Sequence, residues 1–251
     1  MRVVRRIADL GPLDGDVGLV PTMGALHAGH EALIAAARLE CDTVVVSLFV
    51  NPAQFGDPAD LAAYPRDEER DLRVAEVAGA DVLFAPAVEE LYPPGFQTWV
   101  EVEEVARGLE GAHRPGHFRG VATICLKLFN IVRPRSAYFG QKDAQQLAVL
   151  RRMVRDLDLG VTVISVPTVR DADGLALSSR NVLLSPAERE RALALPRALA
   201  TRDLEAARAE LSGLDVDYVE RADFDPPVLA AAIRVGTTRL IDNVVLDKEE
   251  A

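Results

Sequence analysis

Apolar and polar positions alternate in a regular way over the first two thirds of the chain. Five apolar runs have the length and composition of buried strands: 17–20, 43–50, 81–85, 137–140 and 161–166. Helix-forming stretches separate them: 31–40, 60–78, 121–132 and 144–157. Residues 43–50 are apolar on both faces, which is typical of a parallel sheet covered by helices. The alternation predicts an α/β fold with a doubly wound, Rossmann-like parallel sheet.

Two stretches depart from this alternation. Residues 98–102 alternate in polarity and predict an edge strand. Residues 111–120 are rich in glycine and basic side chains and predict a loop, with Arg114 and Arg119 as candidate contacts for an anion. The alternative is an ordinary exposed loop, since such segments usually run over the surface.

The pattern changes after Pro167. Ser185 and Glu188 form a capping box with proline at the first helical position, so a helix is predicted to begin there. A further helix is predicted at 203–211, followed by three strands joined by short turns: 216–221, 229–235 and 239–245. The sequence therefore predicts two domains, a Rossmann-like domain at 1–168 and a small α+β lid domain at 169–251.

The turn PTMGALHAGH, residues 21–30, organises the rest of the prediction. It follows the first strand and precedes a helix, so backbone N–H groups and a helix dipole point at whatever lies above it. His27 and His30 are three residues apart and share one helical face, while Gly24 permits a tight turn and Gly29 leaves room for a ligand. This arrangement favours a polyphosphate. The alternative is two surface histidines beside a loop.

The formal net charge of −11 disfavours nucleic acid and anionic membranes as partners. An anionic substrate then requires cations gathered locally, and the candidates fall at strand ends or helix starts: His27, His30, Arg114, Lys142 and Arg180. The N-terminus lacks a signal peptide and no apolar run is long enough to span a membrane, so a cytoplasmic protein is expected. Cys41 and Cys125 are expected to be buried thiols.

Polar side chains follow other strands at the edge where ligands bind in open α/β sheets. Asn51 and Gln54 follow the second strand, and Lys142, Asp143 and Gln146 follow a later one. The alternatives are turn chemistry for Asn51 and a solvated side chain for Gln54.

Two common phosphate-binding motifs are absent from the sequence, which excludes two classes of nucleotide-binding protein. The first strand is not followed by GxGxxG, and GxxxxGK[ST] does not occur, so neither a dinucleotide fold nor a Walker-type ATPase is supported. An HxGH turn followed late in the chain by a Ser-Ser-Arg loop indicates nucleotidyl transfer. The histidines and a basic loop then hold phosphates while an oxyanion attacks the α-phosphorus.

Seven motifs, in order and spanning nearly the whole chain, resemble the pantothenate synthetase (pantoate–β-alanine ligase) family of the HxGH nucleotidyltransferase-like superfamily. They are PTMGALHAGH, FVNPAQF, YPR, RPGHFRGVAT, FGQKDAQQ, DGLALSSRN and RVGTTRLIDN. The resemblance implies ATP- and Mg²⁺-dependent condensation of (R)-pantoate with β-alanine to pantothenate. It also implies a pantoyl-adenylate intermediate, release of AMP and diphosphate, and a homodimer. Because bulk water would hydrolyse the intermediate, the second domain and residues 171–179 are expected to form a lid that closes over the site.

The resemblance also implies the roles of individual residues. The catalytic residues would be His30 as proton donor, with His27, Lys142 and Arg180. ATP would contact Met23, Gly24, Ala25, Leu26, His27, Ala28, Gly29, His30, Gly140, Gln141, Lys142, Asp143, Val169, Leu177, Ser178, Ser179 and Arg180. The small substrates would contact Gln54, Gln146, Asn51 and Arg114, and Asp71 would lie near the metal and phosphates.

The chain departs from the family pattern at a few positions. Leu177 stands where many members have methionine, Ala144 replaces a common aromatic residue, and the segment between Ala200 and Arg239 is shorter than usual. Two other functions remain open. One is an HxGH nucleotidyltransferase that keeps the nucleotide on its product, and the other is a nucleotide-binding module without turnover.

Overall fold

A computed structural model describes residues 1–247, so residues 248–251 of the predicted second domain lie outside the described part. The chain divides into two compact units. The first comprises Met1–Phe139 and Val149–Val166, and the second comprises Gly140–Ala148 and Pro167–Ala251. Residues 140–148 therefore group with the second unit, although the sequence pattern had placed them in the first.

The first unit is built on a six-stranded sheet. Its strands are β1 Arg2–Val4, β2 Val17–Thr22, β3 Thr43–Leu48, β4 Val82–Phe84, β5 Ser136–Gly140 and β6 Thr162–Val166. Their order is β1-β4-β3-β2-β5-β6, and β2 pairs in parallel with both β3 and β5. Successive strands are added on one side of β2 up to β4 and on its other side from β5 onward. Ligands bind in open α/β sheets at such a reversal of strand order, which lies between β2 and β5. The predicted Rossmann-like parallel sheet is confirmed.

Helices cover this sheet. They are α1 Ala28–Glu40, α2 Pro58–Ala63, α3 Glu68–Ala78, α4 Val88–Leu91, α5 Leu109–His113 and α6 His117–Val132, while α7 Ala144–Asp156 has residues in both units. The apolar face of α1, with Leu33, Ile34 and Ala37, packs in one core with Val20 and Val44 of the strands. This burial fixes α1, and hence the turn before it, against the sheet.

Three sequence predictions fail in the first unit. The helix predicted at 60–78 is two helices, because Pro65 holds Tyr64 in an extended conformation that ends α2. Residues 98–102 form no strand: the N–H of Val100 donates to Thr123 Oγ1 at 3.0 Å instead of joining a ladder. Residues 111–120, predicted as a loop, lie largely within α5 and α6. Strand β1 and helix α4 were not predicted.

Within its described residues, the second unit contains the start of α7, three further helices and an antiparallel sheet. The helices are α8 Pro186–Ala192, α9 Ala194–Ala200 and α10 Leu204–Glu210, and the strands are β7 Asp215–Ala222, β8 Val228–Val235 and β9 Thr238–Val245. The sheet order is β7-β8-β9, with a core that includes Leu195, Leu199 and Ile233. The predicted capping box is present, and hydrogen bonds from Ser185 hold the pKa of Glu188 below its usual value.

Within residues 1–247, none of the helices has the length and apolarity required to cross a membrane.

Both cysteines are buried thiols, as predicted, and Cys125 lies inside α6 with 3 % of its surface exposed. Burial raises the pKa of the Cys125 thiol to about 12, so the reactive thiolate is scarce at neutral pH.

We expect Cys125 to resist iodoacetamide at pH 8 in the native protein and to react once guanidinium unfolds it. Mass spectrometry of tryptic peptides checks this, and rapid labelling of Cys125 in the native protein would contradict it.

Candidate active site

The turn between β2 and α1 is held by reciprocal hydrogen bonds of its two histidines. His27 is the N-cap of α1, and its Nδ1 accepts from the Gly29 N–H at 3.1 Å. His30 Nδ1 accepts from the His27 N–H at 3.2 Å, completing a capping box made of two imidazoles. The ring centroids lie 4.2 Å apart, so the rings are neighbours as their spacing predicts.

These hydrogen bonds select one tautomer of each ring. Because Nδ1 accepts a backbone N–H in both His27 and His30, the proton of each neutral imidazole is on Nε2. Each ring can therefore act as a hydrogen-bond donor through Nε2 at the N-terminus of α1. Since this terminus already favours negative charge, the arrangement suits a phosphate.

Gly24 and Gly29 serve the turn in different ways. Gly24 has φ +85°, a left-handed backbone conformation that glycine adopts readily. This agrees with the tight turn that the sequence predicted at Gly24. A Cβ at Gly29 would lie 2.8 Å from Cε1 of His27. The absent side chain at Gly29 thus makes room for the His27 ring, whereas the sequence had suggested room for a ligand.

Asp71 of α3 clamps the same turn. Its side chain is 1 % exposed, and its two carboxylate oxygens accept the N–H groups of Ala25 at 2.9 Å and Leu26 at 2.7 Å. The family resemblance places Asp71 near the metal and phosphates, and in the structure its two oxygens hold the backbone of the turn. Among residues 1–247, no group of three or more histidine, cysteine or acidic side chains is placed to hold a metal ion.

Asn51 and Gln54 lie in a buried amide network. The Asn51 amide donates to Gln54 Oε1 at 3.0 Å and to the carbonyl of Gly120 at 3.1 Å, while Gln54 Nε2 contacts the Met23 sulfur at 2.9 Å. Tyr92 donates to Asn51 Oδ1 at 2.9 Å, and burial raises the pKa of Tyr92, which keeps this donor protonated. Asn51 also caps the short 3₁₀ helix Pro52–Gln54, so the turn-chemistry alternative for Asn51 holds alongside the network.

The first turn of α6 fixes the backbone of Gln54. A Cβ at Gly120 would lie 2.4 Å from the carbonyl oxygen of Ala53, so only glycine allows this approach. His117 Nδ1 is 3.0 Å from the Gln54 carbonyl, and its Nε2 is 3.2 Å from the Arg114 guanidinium. Because Arg114 can only donate, His117 accepts at Nε2 and donates from Nδ1. Sequence reasoning missed Gly120, His117 and Tyr92 because their partners are distant in the chain.

In the second unit, a 3₁₀ helix at Gln141–Asp143 carries the predicted cation. The Lys142 ammonium lies 3.6 Å from the Asp143 carboxylate, and the Lys142 side chain is 19 % exposed. Asn243 of β9 donates to the carbonyls of Gln141 and Lys142, a contact that sequence reasoning missed. Gln146 is half-buried near the start of α7.

Residues 169–183 form an ordered hairpin and turn. Leu177 N–H donates to the Val169 carbonyl at 2.9 Å, and Arg170 pairs with Ala176 in an isolated bridge. Ser178 then caps a 3₁₀ helix, Ser179–Leu183, by accepting from the Arg180 N–H at 3.2 Å. The segment predicted as a polar loop thus presents Ser178, Ser179 and Arg180 on a defined backbone.

A Rossmann-like sheet whose first turn ends in paired, capping histidines defines a class of α/β proteins built to hold an anion at that turn. The family described as Pantoate-beta-alanine ligase matches residues 2–245. The pantothenate synthetase of Heliobacterium modesticaldum is 55 % identical over 257 residues, covering 92 % of each chain. That of Geobacter sulfurreducens is 48 % identical and covers 100 % of both chains.

Solved structures of the same family are also similar to this chain. The crystal structure of pantothenate synthetase from Thermus thermophilus has a TM-score of 0.93 and 48 % identity, with 98 % of this chain and 99 % of that chain covered. A pantoate–β-alanine ligase from Francisella tularensis, complexed with Beta-gamma ATP and β-alanine, has a TM-score of 0.86 and 35 % identity, with 98 % and 97 % covered. The chain belongs to the pantoate–β-alanine ligase family and is a ligase that forms an amide bond, so the predicted family and enzyme class are confirmed.

Proposed function

We propose that the chain carries out its ATP-dependent ligation of (R)-pantoate and β-alanine in two steps, through a pantoyl adenylate. In the first step, a carboxylate oxygen of pantoate attacks the α-phosphorus of ATP and diphosphate leaves. In the second, the β-alanine amine attacks the acyl carbon, the C–O bond to AMP breaks, and the amine loses a proton. The reaction brings anions together, so positioning and charge neutralisation carry most of the catalysis.

The observation that carries this proposal is the histidine pair at the start of α1. Both rings offer Nε2–H donors, and their Nδ1 atoms are fixed by backbone N–H groups. Donors held in this way need no reorganisation as charge builds on the phosphates. The Francisella tularensis relative, whose structure holds Beta-gamma ATP, supports a nucleotide as the ligand.

The catalytic roles follow from charge. We assign His30 as the principal donor to the phosphates, His27 as its companion, and Lys142 and Arg180 as cations that neutralise the leaving diphosphate. ATP would further contact residues of the three segments that carry these side chains, namely 23–29, then Gly140, Gln141 and Asp143, and finally Val169, Leu177, Ser178 and Ser179. In the turn at 23–30, the N–H groups of Ala25, Leu26, His27 and Gly29 already bind side chains of the protein, so the imidazole Nε2–H groups are the donors that we assign to phosphate.

The small substrates would contact polar side chains. Gln54 is held by Asn51 through its Oε1 and has its backbone fixed by His117, so it is a rigid point for recognising a hydroxy acid. We propose that Gln54 contacts pantoate and β-alanine, that Gln146 contacts pantoate, and that Asn51 and Arg114 complete this set. Arg114 supplies a cation suited to a carboxylate.

Mg²⁺ enters the proposal with the nucleotide. Asp71, which the family resemblance places near the metal and phosphates, holds the turn through its two carboxylate oxygens. We propose that Mg²⁺ would bind together with ATP and neutralise charge on its phosphates. The family resemblance also supports a homodimer, and we propose that the protein works in the cytoplasm.

The decisive assay measures AMP formation from ATP with pantoate and β-alanine supplied singly and together. We expect steady AMP release only with both acids, in a one-to-one ratio with pantothenate. Pantoate labelled with ¹⁸O in its carboxylate should pass one ¹⁸O to AMP, because the attacking oxygen stays on phosphorus when the acyl bond breaks. Formation of ADP and labelled phosphate would contradict the adenylate.

The same assay separates the two rival functions. A nucleotide-bearing product in place of free AMP would identify a nucleotidyltransferase. ATP binding without AMP release, whichever acids are supplied, would identify a module without turnover.

A further inference from the structure

Asn243 lies on β9 of the second unit and is not among the residues assigned to the reaction. Its side chain is 4 % exposed, and the strand holds it in register opposite Ala230 of β8. A buried amide must satisfy its donors and acceptor within the protein. The partners of Asn243 therefore show what this residue does.

The side chain of Asn243 forms its hydrogen bonds with one short segment. Its Nδ2 donates to the carbonyl oxygens of Gln141 at 2.9 Å and Lys142 at 2.8 Å, and its Oδ1 accepts from Gln141 Nε2 at 3.3 Å. One amide thus joins two consecutive carbonyls and one side chain of the 3₁₀ helix at Gln141–Asp143. A turn of 3₁₀ helix is short and poorly hydrogen-bonded by itself, so such an external clamp restricts it.

Asn243 is itself held firmly by its neighbour. Asp242, 2 % exposed, accepts the Asn243 N–H at 2.8 Å and binds the Arg170 guanidinium through both carboxylate oxygens, at 2.6 and 3.1 Å. Arg170 also donates to the Gly174 carbonyl at 3.1 Å. The backbone of Asn243 is therefore fixed by a bidentate ion pair between buried Asp242 and exposed Arg170, as well as by the β8–β9 ladder.

We propose that Asn243 is a positioning residue for Lys142, holding the backbone of Gln141 and Lys142 so that the ammonium group meets the phosphates of ATP. The inference rests on the proposed role of Lys142. Asn243 does not contact the nucleotide in this account and acts only through the 3₁₀ turn. Replacing Asn243 should therefore weaken the binding of ATP and leave the KM for β-alanine nearly unchanged.

The test is Asn243→Ala in the full chain, with a matched control in Val244→Ala. Val244 is the next residue on β9 and packs against the core of the second unit, so its truncation loosens the same strand through apolar packing. Losing the two donated hydrogen bonds should raise the Kd for ATP about tenfold. Calorimetry gives that Kd, steady-state kinetics gives the KM for ATP and for β-alanine, and thermal unfolding gives stability. We expect the KM for β-alanine to stay within about twofold and Val244→Ala to keep the wild-type Kd for ATP.

A double-mutant cycle with Lys142→Ala tests whether Asn243 acts through that lysine. If it does, Asn243→Ala weakens ATP binding much less in the Lys142→Ala background than in the wild type. Equal effects in the two backgrounds, or a wild-type Kd for Asn243→Ala, would overturn the inference. If Asn243→Ala does not fold, Asn243→Leu, which is uncharged, fills a similar volume and cannot donate to the two carbonyls, takes its place. Failure of the wild type to bind ATP or release AMP would instead overturn the proposed function, so the two failures are distinguishable.

Discussion

Replacing His30 with alanine is expected to lower turnover by about 10²-fold or more, the scale of losing one donor that acts in the transition state. The substitution removes the Nε2–H donor and also the Nδ1 acceptor of the His27 N–H. The kcat for pantothenate formation measures the loss. Because the ring also caps α1, the alanine variant alone mixes a chemical effect with a structural one.

His30→Gln separates the two effects. Glutamine at the third helical position can reach back to the N-cap N–H, as in an ordinary capping box, but lacks the imidazole. We expect stability close to wild type with turnover still about 10²-fold lower. His113→Ala, which removes an exposed histidine at the end of α5, is the control and should retain activity. Near wild-type pantothenate formation by the two His30 variants would refute the role of this residue.

Asp71→Asn is expected to lower both the free energy of unfolding and turnover. An asparagine side chain keeps one acceptor oxygen but turns an NH₂ group toward the second backbone N–H, so a buried donor loses its partner. The cost should be about 1–3 kcal/mol. Denaturant unfolding measures it. Turnover should fall as well, because Ala25 and Leu26 lie just before the two histidines in the turn that Asp71 holds.

Asp67→Asn is the matched control on the same helix. Asp67 is the exposed N-cap of α3 and accepts the Arg70 N–H at 3.0 Å, a role that asparagine performs equally well. We expect this variant to keep wild-type stability and turnover. An Asp71→Asn protein as stable and active as Asp67→Asn would show that the clamp is dispensable.

Features carried by neighbouring residues were predictable from the sequence. The strand at Val17, the turn after it and the helix that follows were found because apolar spacing and glycine positions act over a few residues. The neighbouring rings of His27 and His30 were predicted from their spacing, although His27 is the extended N-cap and the pair forms through a capping box. The capping box at Ser185 was found for the same reason, since Glu188 is one turn away.

Features that need a distant partner were missed or misjudged. Residues 98–102 have the polarity of a strand, but the N–H of Val100 bonds to Thr123, and no ladder forms. Gly120 looked like a loop glycine, yet it allows α6 to approach Ala53. Asp71 was placed near the metal and phosphates by the family resemblance, and only the fold shows that its two oxygens also hold the turn.

The sequence by itself determined the parallel sheet, the histidine-containing turn and the family, because strand and helix periods and motif spacing are local properties of the chain. Only the tertiary structure decided which side chains hold that chemistry in place. Asp71 on Ala25 and Leu26, His117 on Gln54 and Asn243 on Lys142 each join residues more than forty positions apart. Hydrogen bonds of this kind depend on which buried groups meet once the core has packed, and no local pattern specifies that.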